Sequence, residues 1–215
     1  MMVTAVFGGT FDPVHLGHLK LAHEIFLKLD ASVVLVPCRI PPHRPQPVAS
    51  AEQRLAMLQL ALADEAHVIV DDCELHRDGP SFTVDTLRTY RARLGAQAPL
   101  VFVMGVDAFL TLPTWEQWQS LTDLAHLLVL GRPGYEFSLS GELKNWAAPR
   151  LTADIDDLSR SPRGLIHHTV LLEMPVSASQ IRQRLADGLD VDDWLPGAVL
   201  RYIRDEQLYL PVKAG

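Results

Sequence analysis

His15 and His18 stand three residues apart, shortly after an apolar run and a glycine pair, Gly8-Gly9. Imidazoles at i and i+3 share one face of a helix near its start. Placed there, they can donate hydrogen bonds to phosphate oxygens and stabilise the charge that grows as a phosphoryl centre is attacked. The same pair could instead hold a metal ion, or be two structural histidines. Gly8 and Gly9 weigh against both, because metal binding has no use for them. A glycine turn lets the backbone approach a ligand closely, and the helix after it presents N–H groups and a positive dipole end. Thr10 and Phe11 belong to this loop. It is neither a GxGxxG fingerprint nor a Walker loop, since no Gly-Lys-Ser/Thr follows.

Further along, Gly105 allows close approach, and Asp107 could accept from a ribose hydroxyl or merely cap a helix. Trp115, after Pro113-Thr114, offers a flat aromatic face or fills the core, for which Trp118 is the better candidate. Ser177 reads by itself as a plain N-cap, and Arg182 adds a charge that can pair with phosphate. His43 and Arg44 sit in a proline-rich loop, where a basic residue is by default solvated; Arg132 is by default a turn residue. Cys38 has no evident base nearby and is given no catalytic role.

These residues need a scaffold. Val3 to Phe7, Ser32 to Val36, His67 to Asp71, Leu100 to Met104, Leu127 to Leu130 and His168 to Leu172 read as strands. Leu16 to Leu29 has helical periodicity. Ser50 with Gln53 makes a capping box for a helix to about Ala63. Ser81 or Thr83 is expected to cap a helix ending near Gly95, Thr114 with Gln117 a short one, and Ser177 or Ser179 one ending at Gly188. Pro196 suits the first turn of a last helix. Continuously apolar strands alternating with helices imply a parallel sheet covered on both faces. The expected fold class is α/β, a doubly wound Rossmann-like sheet with C-terminal helices. One domain over 1–215 is expected, with a peripheral irregular region at 134–165.

The net charge of -7 argues against broad nucleic-acid binding, which needs basic surface. No apolar run approaches the length of a membrane span. Two cysteines without a pairing signal, and no signal peptide at the start of the sequence, point to a cytoplasmic setting.

The stretch Gly8 to His18 resembles the signature of the (H/T)xGH nucleotidyltransferases, a superfamily similar in fold and chemistry to class I aminoacyl-tRNA synthetase cores. Over nearly its whole length the chain resembles the bacterial nicotinate-nucleotide adenylyltransferases. The landmarks are Pro41-Pro42-His43-Arg44, Ser81 to Leu87, Met104 to Asp107, Leu112 to Trp115, Gly131 to Gly134 and Val176 to Arg182. The resemblance implies adenylyl transfer from ATP to nicotinate mononucleotide, giving deamido-NAD and pyrophosphate in NAD biosynthesis, by in-line attack without a covalent intermediate. It implies His15, His18 and Arg182 as catalytic residues. Gly8, Gly9, Thr10, Phe11, Gly105, Asp107, Ser177 and Ser179 would bind ATP. His43, Arg44, Thr83, Trp115, Glu116 and Arg132 would bind the mononucleotide, with Trp115 stacking on nicotinate and backbone N–H groups near Thr83 and Glu116 receiving its carboxylate. Mg²⁺ is expected on the ATP phosphates, with no protein metal site. Ala178 and Ser179 depart from the family's Ser-Ser-Thr pattern, so one hydroxyl is missing. The alternatives are another phosphate acceptor, such as nicotinamide mononucleotide or pantetheine phosphate, or a nucleotide-binding protein without turnover. Trp115 and Ser81 to Leu87 favour nicotinate, and intact His15, His18 and Arg182 favour an enzyme.

Overall fold

A computed structural model describes residues 2–42, 45–131, 136–170 and 176–210. The chain opens with β1 (Val3–Gly9), α1 (Leu16–Leu29), β2 (Ala31–Pro37), α2 (Ala51–Ala61), β3 (Val68–Val70), α3 (Thr83–Leu94) and β4 (Leu100–Gly105). It continues through α4 (Val106–Leu110), α5 (Leu121–Leu124), β5 (His126–Leu130), α6 (Gly141–Ala147), β6 (Leu151–Thr152), α7 (Asp157–Arg160), β7 (Ile166–Thr169), α8 (Ala178–Ala186) and α9 (Gly197–Asp205). The strands form one sheet in the order β3-β2-β1-β4-β5-β7-β6, every pairing parallel.

Side chains alternate across each strand, and β4 shows the consequence. Val101 and Val103 join a core with Val3, Leu35, Ile25, Leu58 and Ile203, beneath α1, α2 and α9. Leu100, Phe102 and Met104 join the opposite core with Leu87, Phe109 and Leu121, beneath α3, α4 and α5. The sheet is therefore covered on both faces, the doubly wound arrangement expected. Strand order reverses between β1 and β4, and ligands of such folds bind outside the carboxyl ends of the strands at that reversal. Gly8-Gly9 and Gly105 are those two ends.

Local expectations fail in four places. Phe82, not Ser81 or Thr83, is the N-cap of α3, and no side chain caps that helix. Ser81 instead accepts the Arg39 N–H at 2.9 Å, so its hydroxyl is spent on the proline loop. Thr114 starts no helix. It ends a 3₁₀ turn at Leu112–Thr114, its hydroxyl donates to the Thr111 carbonyl at 2.8 Å, and the next turn begins only at Trp118. Within the region read as irregular, α6, β6 and α7 are regular, β6 being the edge strand beside β7. These elements are too short to show a period in the sequence. The last strand spans Ile166–Thr169 rather than starting at His168.

Candidate active site

At the carboxyl end of β1 the chain is held in a shape that few sequences allow. Phe11 has φ 51, the left-handed region a bulky residue enters at a cost of about 1 kcal/mol or more. Phe11 is 2% exposed, so its ring serves packing rather than ligand contact. The ring lies over Gly9, where a Cβ would come within 2.8 Å of it; Gly9 is therefore glycine partly for Phe11. The ring then packs edge-on against His18, centroids 5.0 Å apart.

His15 is the N-cap of α1 and His18 the third residue of the helix. Their rings stack at 3.7 Å. The His15 N–H donates to His18 Nδ1 at 3.3 Å, which leaves the His18 proton on Nε2. His15 Nδ1 is buried without a hydrogen-bond partner. Gly17, which the sequence reading did not single out, makes room for this pair: a Cβ there would lie 3.0 Å from the His15 ring and 3.1 Å from Val176. The signal was present in the spacing His-x-Gly-His. The start of α1 offers fewer free donors than expected, because the Leu16 N–H already donates to the Trp194 carbonyl at 2.9 Å.

Burial lowers the His15 pKa from 6.5 to about 4. Burial, and then the neighbouring His15, hold His18 well below its usual range. Both rings are neutral at pH 7 and act as hydrogen-bonding groups rather than as cations. This links stability to pH. The unfolded chain protonates His15 near pH 6.5 and the folded chain only near 4, so the unfolded state binds more protons between those values. Stability is full above pH 6.5 and falls as the pH drops towards 4. A shift of this size corresponds to about 3 kcal/mol from His15. Urea unfolding at pH 7 and pH 5 should show the loss, and His15→Gln should reduce it, leaving the part due to His18.

Arg182, on α8, reaches across to the β1 loop. Its Nη1 donates to the Asp12 carbonyl at 2.7 Å and lies 3.7 Å from Asp12 Oδ2, while Nη2 faces Ser179 Oγ at 3.4 Å. The histidine motif and the C-terminal motif, about 170 residues apart, thus meet. Ser177 caps α8, accepting the Gln180 N–H at 3.3 Å. Its hydroxyl is engaged as the plain N-cap reading expects, while the Ser179 hydroxyl faces Arg182.

Two residues the sequence reading passed over hold the loop. Asp12 is buried and accepts the Val48 and Ala49 N–H groups at 2.9 and 3.1 Å. Arg54, 1% exposed, donates to the carbonyls of Thr10, Ala49 and Arg39 at 2.8, 3.3 and 3.3 Å. Charged residues read as surface unless paired, so no sequence signal marks Arg54. Cys38 donates weakly to Thr10 Oγ1 at 3.8 Å, and burial pushes its thiol pKa up, which fits the absence of a nucleophilic role.

On the β4 side, the Asp107 carboxylate folds over Gly105, where a Cβ would collide with Oδ1. Trp118 is buried and meets Trp146 edge-on at 4.8 Å, as the core tryptophan should. Trp115 is half-buried and Glu116 exposed. The uncapped start of α3 places Thr83 at its first position, on the same side of the sheet as Trp115, and Arg88 of α3 donates to Gln117 beside Trp115 at 2.5 Å. Beneath it, buried Glu74 accepts from Thr86, whose oxygen also receives Arg77 at 2.9 Å. His43, Arg44 and Arg132 lie outside the described residues.

Among the described residues no cluster of three or more His, Cys, Asp or Glu could hold a metal ion, and no helix is long and apolar enough to cross a membrane. A depression of about 550 Å³ lies at the other end of β1, lined by Met2, Leu27, Lys28 and Asp156. It lies away from the carboxyl edge, where the glycine turn, His15, His18 and Arg182 stand.

The Cytidylyltransferase-like family matches residues 6–184. A relative from Serratia proteamaculans (strain 568), named "Probable nicotinate-nucleotide adenylyltransferase", is 47% identical over 207 residues, covering 95% of this chain and 94% of the relative. A relative of the same name from Yersinia pestis (strain Pestoides F) is 46% identical over 210 residues, covering 95% and 94%. The fold is shared with Plasmodium falciparum nicotinic acid mononucleotide adenylyltransferase complexed with NaAD, at a TM-score of 0.73 and 17% identity over 97% of this chain and 98% of that one. With its glycine turn, stacked histidines and C-terminal arginine converging at the sheet's switch point, the chain belongs to the nicotinate-nucleotide adenylyltransferase family.

Proposed function

We propose that the protein transfers the adenylyl group of ATP to nicotinate mononucleotide, releasing pyrophosphate and forming deamido-NAD. The observation that carries this is the convergence of His15, His18 and Arg182 on the glycine loop at the switch point. The acceptor phosphate is already an anion and attacks the α-phosphorus in line, so no strong base is needed, and none is supplied: both imidazoles are neutral. The new bond joins the mononucleotide oxygen to phosphorus as the bond to pyrophosphate breaks. The protein contributes position and charge stabilisation. His18 donates from Nε2 to the oxygens of the transferring group, His15 supports it by stacking, and Arg182 with the start of α8 receives the leaving pyrophosphate.

Gly8, Gly9, Gly105 and Asp107 line the ATP side, with the Asp107 carboxylate beside Gly105 as the acceptor for a ribose hydroxyl. Trp115 and the uncapped N-terminus of α3 at Thr83 suit the pyridine ring and its carboxylate; amide donors prefer a carboxylate to a carboxamide. The imidazoles, the Ser179 hydroxyl and the Arg182 guanidinium suit phosphate rather than a hard cation, and Asp107 is a single carboxylate where a protein cage would need several. Mg²⁺ therefore enters as part of MgATP, held by phosphate and water, and offsets charge on the phosphates. A cytoplasmic setting fits these substrates.

Pyrophosphate release from MgATP, assayed with nicotinate mononucleotide, nicotinamide mononucleotide and pantetheine phosphate in turn, tests the reading. Nicotinate mononucleotide should give the highest kcat/KM, by about tenfold or more over the carboxamide. Faster release with the nicotinamide form overturns the acceptor, and no release with any of them overturns the enzyme.

A further inference from the structure

Tyr209, on the segment after α9, lies 197 positions from Asp12 in sequence, yet its hydroxyl donates to Asp12 Oδ1 at 2.6 Å. Getting there takes unusual backbone: Gln207 and Tyr209 have φ of 53 and 58, both left-handed. The ring is buried, at 8% exposure, in the core that α2 and α9 share. Burial and the adjacent carboxylate push the phenol pKa up, so it remains a donor at any working pH.

The carboxylate it meets is nearly saturated. Oδ1 accepts from Tyr209 and the Ala49 N–H, and Oδ2 accepts from the Val48 N–H. What remains faces Arg182, at ion-pair distance but beyond a hydrogen bond, while the guanidinium bonds to the Asp12 carbonyl instead. Arg182 is thus aligned by a neutral oxygen, and its charge is only loosely compensated. An anion arriving in the cleft has little to displace. Without the phenol, Oδ1 would lose its shortest donor, and the carboxylate would turn more freely. Its unchanged single negative charge, less offset by hydrogen bonding, would then compete with phosphate for the guanidinium.

We propose that Tyr209 is a positioning residue that keeps Asp12 from capturing Arg182, and so keeps Arg182 available for the pyrophosphate portion of ATP. This rests on the reading of Arg182 as the pyrophosphate-binding residue. Tyr209→Phe should raise the KM for ATP about tenfold and weaken inhibition by pyrophosphate to the same degree, with the KM for nicotinate mononucleotide within twofold of wild type. Equal changes in all constants, or none, would mean a structural role alone and overturn the proposal. Calorimetric titration of pyrophosphate into Arg182→Ala and into Arg182→Ala/Tyr209→Phe separates the two readings. If Arg182→Ala leaves pyrophosphate affinity unchanged, the reading of Arg182 fails. If it weakens binding and Tyr209→Phe then weakens it further by the same factor as in wild type, Tyr209 does not act through Arg182. The expected result is no further loss. A second variant preserves the ring and hydroxyl in case the phenylalanine form does not fold: 3-fluorotyrosine placed at 209 is a stronger donor and should lower the KM for ATP at least twofold, whereas an unchanged or higher value counts against the proposal.

Discussion

Replacing His18 with alanine is expected to lower kcat by about 10²–10³-fold, while the KM for ATP stays within a few-fold of wild type. The size is that of removing one preorganised donor aimed at developing charge. The asymmetry between the constants follows from where that charge develops. In the proposed role, the His18 Nε2 proton interacts more strongly with the transferring phosphoryl group in the transition state than with bound ATP, and only such a difference accelerates a reaction. The ring is ready for this before substrate arrives. The His15 N–H holds Nδ1, the Phe11 ring backs one side and His15 stacks on another, so little reorientation remains. Single-turnover and steady-state pyrophosphate release at saturating ATP would measure the effect, with circular dichroism confirming that the variant folds. Equal turnover in wild type and variant would remove His18 from the chemistry.

Arg182→Ala should cost a similar factor, about 10²–10³ in kcat, and should also relieve product inhibition by pyrophosphate. Here a stability effect comes as well. Arg182 is 30% exposed and sits beside a buried carboxylate, so its loss leaves Asp12 with its amide and phenol donors but without this ion pair. Three good donors limit the damage to about 1 kcal/mol, in keeping with a partly screened pair. Arg182→Lys should fall between the two, because an ammonium cannot reach the Asp12 carbonyl and Ser179 together as the planar fork does. Pyrophosphate inhibition constants for the three proteins, read beside their urea midpoints, distinguish the catalytic loss from the structural one.

How much of this could be read before folding depends on whether the signal was local. The apolar runs of β1, β2, β4 and β5 and the Ser50–Gln53 capping box are written in consecutive residues, and each appears in the structure within a residue or two. The α3 cap was misread because Ser81 looks like a cap in isolation; its hydroxyl is claimed by Arg39, 42 positions away. The elements α6, β6 and α7 were missed because pieces of seven, two and four residues carry no period. Arg54 was invisible for a different reason: its burial is made tolerable by three carbonyls from two loops, none of which the helix it sits on could announce.

By itself, then, the sequence determined a parallel α/β sheet, a glycine turn leading into a helix that starts with two imidazoles, and the family to which that turn belongs. Those are matters of adjacent residues and short periods. The tertiary structure alone decided that Arg182 and Tyr209 both converge on Asp12, that the two histidines are neutral, and that Phe11 and Gly9 serve the packing of His18. The physical reason is that charge state, burial and the choice of hydrogen-bond partner depend on groups brought together from distant parts of the chain. The histidine motif specifies which side chains stand at the turn; the fold around it sets their protonation and orientation.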